Sequence, residues 1–353
     1  MSTTRSNNHN GGERAYDSLR LVWFPWQRAR RIRKEEERRI AIMKRNQLIL
    51  ASGAYQSSLA IRHDGSIACW GRNDFGQAPP DGVDGEFVAV AGGFAHSLAL
   101  RRDGCVACWG AEERGDDYDS DDDITDAQIL HGQAPPDGVD GNFVAIAAGA
   151  FHSLALRRDG GVACWGRNYD GEAPPDASPS DSVEGDFVAI AAGDYHSLAL
   201  QRDAGDGCVE CWGDNTYDQA PPDGVDGDFV AIAAGAFHSL AVRRDGNIAC
   251  WGLNDDGQAP PDGVDGDFVA ITAGRYHSLA LRRDGTIACW GRNDDGQAPP
   301  DGVDGDFVAI AAGCYLSLAL RRDGSIACWG DNGDDQAPPD GALVLIGPFM
   351  MQE

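Results

Sequence analysis

Residues 268–305 read FVAITAGRYHSLALRRDGTIACWGRNDDGQAPPDGVDG, and this stretch decides the fold. It carries three strand signals. Its opening Phe-Val-Ala-Ile, which recurs as Phe307 to Ile310, is short, apolar and bounded by Gly. His277 to Leu281 alternates large and small side chains, as a pleated strand packed on both faces does. Ile287 to Trp290 is the third. Asp284-Gly285 between the second and third predicts a hairpin, because Gly supplies the positive φ of a tight turn. The Gly-Gln-Ala-Pro-Pro-Asp-Gly run cannot be a central strand. Pro removes ladder donors, so the run is an outer edge or a crossover. Helical periodicity is absent.

The same unit returns along the chain. Trp-Gly occurs at Trp70, Trp109, Trp165, Trp212, Trp251, Trp290 and Trp329, at spacings of 39, 56, 47, 39, 39 and 39. A fixed period of this size marks a solenoid or a propeller. Three or four antiparallel strands without helices, repeated seven times, predict radial closure. A β-solenoid has shorter coils and needs capping ends. The expected fold is therefore all-β, a seven-bladed β-propeller over residues 47–347. Gln47 to Leu50 would supply the remaining inner strand, with Gly53 aligned to Gly93. Leu343 to Ile346 repeats that pattern, so both chain ends would meet in one blade and latch the ring.

The run H-S-L-A-L-R-R-D-G-x-I-A-C-W-G-R-N-D-x-G-Q resembles the repeat of the RCC1 (regulator of chromosome condensation) family over most of the chain. The compact 39-residue unit is similar to the short bacterial-type repeats, including those of β-lactamase inhibitory protein II. The resemblance implies a propeller used as a protein-binding platform. Family members include a guanine-nucleotide exchange factor for Ran that docks on nucleosomes, ubiquitin-ligase modules and a plant UV-B photoreceptor. The photoreceptor reading needs extra Trp gathered on one face, and the two extra ones, Trp23 and Trp26, lie outside the repeats.

Composition narrows the function classes. Of 353 residues, 42% are apolar and 24% charged, enough to bury a core. No apolar run approaches the ~18 residues of a spanning helix, and MSTTRSNNHN has no secretory h-region. The formal charge is −27. Residues 1–50 hold 12 basic and 5 acidic side chains, and the remaining 303 hold 17 Arg, no Lys and 51 acids. The repeat body repels nucleic acid and anionic membrane, so only the arm has the charge to attract either. Residues 1–14 read as a disordered tail, 15–46 as a basic helical arm and 348–353 as a C-terminal tail. Within the arm, QRARRIRKEEERRIAIMKR (27–45) has i,i+4 pairs Arg31/Glu35, Arg33/Glu37 and Glu35/Arg39. Upstream lies the apolar cluster Leu21-Val22-Trp23-Phe24-Pro25-Trp26. The arm's readings are docking on a membrane surface, on a partner or nucleic acid, or folding back on the acidic ring by charge opposition. The family's basic tails imply nuclear targeting as a further use.

Several residue types invite a chemical reading. His96, His152, His196, His238 and His277 each precede Ser, which suggests a nucleophile and its base. Neighbours on a strand point to opposite faces and cannot form that bond directly. Gln56 and Leu316 stand at the histidine position of the first and last units, so the repeated His reads as structural, hydrogen-bonded within its blade. Cys69, Cys108, Cys164, Cys211, Cys250, Cys289 and Cys328 precede the repeat Trp and read as small core hydrophobes in a reducing compartment. Cys105/Cys108 and Cys208/Cys211 match C-x-x-C, but each pair lies along one strand. The repeat Trp read as packing between blades. Asp301-Gly302-Val303-Asp304-Gly305-Asp306 is turn chemistry without EF-hand spacing. No cofactor, metal or catalytic residue is expected.

Candidate partner-binding residues fall into three groups. Arg101/Arg102, Arg157/Arg158, Arg243/Arg244, Arg282/Arg283 and Arg321/Arg322 should ring one face, either anchoring an acidic partner or covering the blades and pairing with nearby Asp. The over-period loop Ala111 to His131 has nine acids, including Asp121, Asp122 and Asp123, and should leave from the opposite face as a dock for a basic partner, with Tyr118 as aromatic anchor, or as a solvated loop. Trp23 and Trp26 are the arm's candidates. Smaller insertions fall near Ala177 to Ser182 and Ala204 to Asp206. The expected protein is a monomeric intracellular scaffold, cytoplasmic or nuclear, with an unknown protein partner. The alternatives are an exchange factor for a small GTPase with chromatin association, and a proteinaceous enzyme inhibitor.

Overall fold

The computed structural model describes residues 50–53, 56–110, 132–174, 182–202 and 207–337. The chain falls into two units, Met1–Ile42 and Met43–Glu353, and the described residues belong to the second. The tail, the helical arm with Trp23 and Trp26, the loop 111–131 with Tyr118 and Asp121 to Asp123, and Leu343 to Ile346 lie outside the described residues.

Seven antiparallel sheets follow one another along the chain, and no helix occurs among the described residues. We number them as blades 1 (50–71), 2 (87–110), 3 (143–183), 4 (187–213), 5 (229–252), 6 (268–291) and 7 (307–330). In blade 6 the inner strand Phe268–Ala273 pairs with the middle strand His277–Arg282, which pairs with the outer strand Ile287–Gly291. The inner strand outruns its four-residue apolar signal by two residues, as Phe307–Ala312 shows in blade 7. The two added residues pair with the middle strand, and the inner strand also carries a bulge. Phe268 faces Arg282 but Ala270 faces Leu281, so Val269 is an added residue that increases the local twist.

The proline-rich run follows its expected edge role. Gly302 donates to the Pro299 carbonyl, and this turn returns Val303 to Ile287, where the two exchange both backbone bonds at 2.9 Å. The fourth strand is reduced to this single bridge in blades 1, 2, 4, 5 and 6, and grows to Ser182–Val183 in blade 3. The ring closes: inner strand Phe307–Ala312 lies beside the first inner strand, Leu50–Ser52. That first strand starts at the last residue of the expected Gln47–Leu50. Gly53 donates to the Ser57 carbonyl as Gly93 does to that of His96, so the Gly53/Gly93 alignment holds. Leu59, Ile67, Leu316, Leu318 and Leu320 share one buried cluster across this last junction.

The repeated His, Ser, Trp and Gln join the blades at their seams. His238 Nε2 of blade 5 lies 2.9 Å from Ser278 Oγ of blade 6. Ser278 Oγ donates to the Gln258 carbonyl in the connecting loop, and Trp290 Nε1 donates to the same carbonyl. The hydroxyl hydrogen is thus committed, so the serine accepts from Nε2–H and fixes the histidine tautomer. The same bond joins His96 to Ser153, His152 to Ser197, His196 to Ser239 and His277 to Ser317. The histidines therefore bond across seams, not within their own blades as expected. The cause is the pleat: adjacent His and Ser face opposite neighbours, one blade ahead and one behind.

At blade 1 the register also moves the substitution. Ser57 faces Gly71 as His96 faces Gly110, so Ser57 holds the histidine position. Gln56 is an added turn residue with φ 53°. Leu316 does replace histidine in blade 7. The seam from blade 7 to blade 1 consequently has no histidine, and Ser58 Oγ has no hydrogen-bond partner among the described residues.

Candidate functional site

Each middle strand runs from its His end to its Arg end, which separates two faces of the ring. At the Arg end, the first arginine of each pair stacks on the Phe that opens the inner strand of the same blade. Arg101, Arg157, Arg243, Arg282 and Arg321 lie 5.1–5.5 Å from the ring centroids of Phe87, Phe143, Phe229, Phe268 and Phe307. The second arginine pairs with the residue before that Phe: Arg244 with Asp228 at 2.9 Å, Arg283 with Asp267 and Arg322 with Asp306 at 2.8 Å, Arg102 with Glu86 at 3.6 Å. Arg158 donates to Asn142 at 3.1 Å. All ten candidate arginines thus ring one face, as the sequence predicts, and each is engaged inside its own blade. Such exposed pairs contribute about 0.2–1 kcal/mol each.

At the His end the side chains do not form a hydrolytic centre. The five histidines and their serine partners are all fully buried. Burial holds His96, His152 and His238 down at a pKa of about 3, and His196 and His277 at about 4. A neutral imidazole is a reasonable base, but its serine already donates to a backbone carbonyl and no substrate reaches it. Burial likewise raises Cys69 to about 11 and Cys108, Cys164, Cys211, Cys250 and Cys289 to about 12, so their thiols stay protonated. Among the described residues no group of three or more His, Cys, Asp or Glu is arranged to hold a metal ion.

The surface with recognition chemistry comes from positions that the repeat leaves variable. In A-A-G-x-x-H-S the first x lines the central channel in blades 4 to 7 (Asp194, Ala236, Arg275, Cys314) and the second carries an aromatic ring in blades 3 to 7. These are Phe151, Tyr195, Phe237, Tyr276 and Tyr315. Phe94 and Phe75 extend the series into blades 2 and 1. Successive centroids are 6.5 Å (Phe75–Phe94), 5.1 Å (Phe94–Phe151), 6.4 Å (Phe151–Tyr195), 6.0 Å (Tyr195–Phe237) and 6.4 Å (Phe237–Tyr276). This is a belt of tilted rings in the favourable spacing range.

The loops after the outer strands frame the belt. Their first residues donate to its backbone: Arg167 to Phe151, Asp214 to Tyr195, Leu253 to Phe237, Arg292 to Tyr276 and Asp331 to Tyr315. Tyr217 from one loop meets Phe237 edge-on at 5.5 Å. Arg167 sits 5.1 Å from the Tyr169 centroid and 4.8 Å from that of Tyr195, while also pairing with Asp170 at 3.0 Å. Behind it, Glu172 is fully buried where other units have Gln, 3.5 Å from the Arg167 guanidinium. Arg292 reaches Tyr276 at 5.8 Å and Tyr315 at 5.9 Å. The belt is not uniformly covered. Phe75, Phe94 and Phe151 are buried, Tyr195, Phe237, Tyr276 and Tyr315 are half-buried, and Tyr169 and Tyr217 are 73% and 45% exposed.

The channel inside the belt has a volume of about 220 Å³ and is walled by the Ala and Gly of the inner strands. Off-repeat residues Asp194, Arg275 and Cys314 stand at its mouth. Burial raises Asp194 to about 6 against the opposing pull of Arg275. Gly110 abuts Ala95 and His96, and the nine-acid loop that follows it lies outside the described residues. Sequence reasoning missed the belt because it averaged the variable positions away. The signal was present: five aromatics in register immediately before the histidine column.

Comparison with known proteins follows the architecture. The regulator of chromosome condensation (RCC1) repeat matches at residues 87–116, 143–172, 229–258, 268–297 and 307–336. A search of curated proteins gives no significant match. Among solved structures, the CRINKLY WD40 ectodomain of the Arabidopsis thaliana receptor kinase ACR4 is 22% identical, with a TM-score of 0.60 over 84% of this chain and 98% of that one. Yeast RCC1 (Prp20), solved with Kap60, is 21% identical, with a TM-score of 0.58 over 86% and 85%. Human WBSCR16 is 21% identical, with a TM-score of 0.60 over 77% and 86%. At these identities the likeness is one of fold.

Proposed function

We propose, from the premise that this chain belongs to the proteins built of the RCC1 repeat, that it is a non-catalytic protein-interaction scaffold working through the belt face. The observation that carries this reading is the aromatic belt itself. Tyr and Arg are the residues most enriched at binding hot spots, and here they are concentrated on variable positions of an otherwise uniform ring. The seams hold the blades rigid, so the face is pre-organised and loses little entropy on binding. The fold neighbours fit a binding role. Prp20p from Saccharomyces cerevisiae has binding properties to Gsp1p and histones, and the matched part of ACR4 is the ectodomain of a receptor kinase.

The test is affinity purification from native cells, comparing the intact chain with a Tyr169→Ser/Tyr217→Ser variant and with chains lacking 1–46 or 111–131. We expect the tyrosine variant to lose the main partner while its thermal unfolding stays unchanged. Retention of every partner by that variant overturns the belt as the working face. In a panel of small GTPases we expect nucleotide release to stay at its uncatalysed rate; acceleration would replace the scaffold reading with exchange.

A further inference from the structure

We propose that the belt face docks a Lys/Arg-rich protein segment, a statement that rests on the scaffold reading above and gives its partner a chemistry. The aromatic centre of the face lies over blades 3 to 5, where Tyr169, Tyr195, Tyr217 and Phe237 meet. Tyr169 and Tyr217 are the large aromatic side chains most open to solvent among the described residues. Each offers a ring face to a cation, and the chain already uses its rings in that way. Arg167 lies over both Tyr169 and Tyr195, and Arg292 reaches both Tyr276 and Tyr315.

Charge selects the occupant. The loop tips that frame the belt expose Asp218, Asp255, Asp256, Asp295, Asp334 and Asp335. Cations of the same face have acidic neighbours: Arg72 pairs with Asp74, Arg167 with Asp170 and Glu172, Arg292 with Asp294, and Arg275 acts on Asp194 at the channel mouth. Exposed carboxylates on the loops after blades 4 to 7 therefore flank the π surfaces. An acidic or phosphorylated partner would meet like charge, whereas a basic segment gains steering from these carboxylates and stacking from the centre. Glu172 lies beneath the stack and holds Arg167 in place against the rings. It is fully buried and pairs through Oε1 with the Arg167 guanidinium at 3.5 Å.

The experiment measures binding of the full-length protein to a Lys/Arg-rich peptide and to its Glu-substituted counterpart of equal length, by fluorescence anisotropy. Three variants are compared: Tyr169→Ser/Tyr217→Ser, which keeps the charge; Asp255→Asn/Asp256→Asn/Asp334→Asn/Asp335→Asn, which neutralises four groups on this face; and Asp103→Asn/Asp245→Asn/Asp284→Asn/Asp323→Asn, which neutralises four at the hairpin face. We expect the basic peptide to bind and the Glu peptide not to. We expect each belt-face variant to weaken the basic peptide by about tenfold or more, and the hairpin-face variant by less than about twofold. Equal losses from the two charge variants would reduce the effect to net charge and overturn the proposal. So would preference for the Glu peptide, or concentration-dependent self-association abolished by the tyrosine pair, which assigns the face to a second copy. In the last two cases, loss of cellular partners from the tyrosine variant would still leave the scaffold reading standing.

Discussion

At the residue scale, five buried histidines make stability depend on pH with a definite sign. Their folded values of about 3 to 4 lie below the ordinary 6.5 because burial disfavours the cation. Between those values the unfolded chain binds protons that the folded chain refuses, so stability is full above about 6.5 and falls as pH drops. Each histidine contributes up to about 1.4 kcal/mol per pH unit in that window. Asp194 acts in the opposite sense. Its carboxyl, raised from 3.8 to about 6, keeps a proton the unfolded chain has released and offsets one of the five. The denaturation midpoint is expected to drop steeply from about pH 7 to about pH 5. A flat profile would mean the imidazoles are charged or wet in the folded ring.

At the scale of the element, each seam depends on a glycine as much as on its histidine. A Cβ at Gly235 would overlap the His238 ring and the Gly274 carbonyl of the next blade, so no larger residue fits. Gly257 differs: nothing stands within 4 Å of its Cβ position, but its φ is +80°. Gly235→Ala should therefore cost well over the roughly 1–2 kcal/mol of left-handed strain expected for Gly257→Ala. Urea melts of the two variants decide the order. Comparable losses would show that the seam is slack enough to accept a methyl group.

The elements were legible in the sequence because every signal was local and repeated. Asp-Gly hairpins, alternation in His277 to Leu281 and the proline-limited edge needed no knowledge of neighbours. The seam partners were not legible, since a His–Ser bond between residues 40 positions apart follows from blade placement. The added residue Gln56 was hidden for a related reason: only strand register shows that Ser57 faces Gly71. The belt was hidden by its variability. The double arginines were seen as a ring, but their stacking on Phe depends on the bulge register that puts Phe268 opposite Arg282.

At the scale of the molecule, the two junctions beside blade 1 differ from the other five: Ser57 leaves the one to blade 2 without a histidine, and Leu316 does the same for the one from blade 7. At the junction of blades 7 and 1, Leu316 stands where other blades carry histidine and joins the buried cluster of Leu318, Leu320, Leu59 and Ile67. Leu316→Ala should thus cost about 2–5 kcal/mol and favour opening at this junction. Hydrogen exchange on the variant is expected to rise first in residues 50–71 and 307–330. Uniform loss of protection around the ring would instead show that the blades melt as one body.

The interior seams have a direction: every blade from 2 to 6 offers a donor to its successor, and every blade from 3 to 7 supplies the matching acceptor. A unit excised or copied whole from the middle of the gene would carry both halves of that handshake with it. Recombination between such similar stretches can then change the tally of blades without creating an unmatched joint. What limits the tally is the curvature the inner strands can sustain, together with the two histidine-free joints on either side of blade 1.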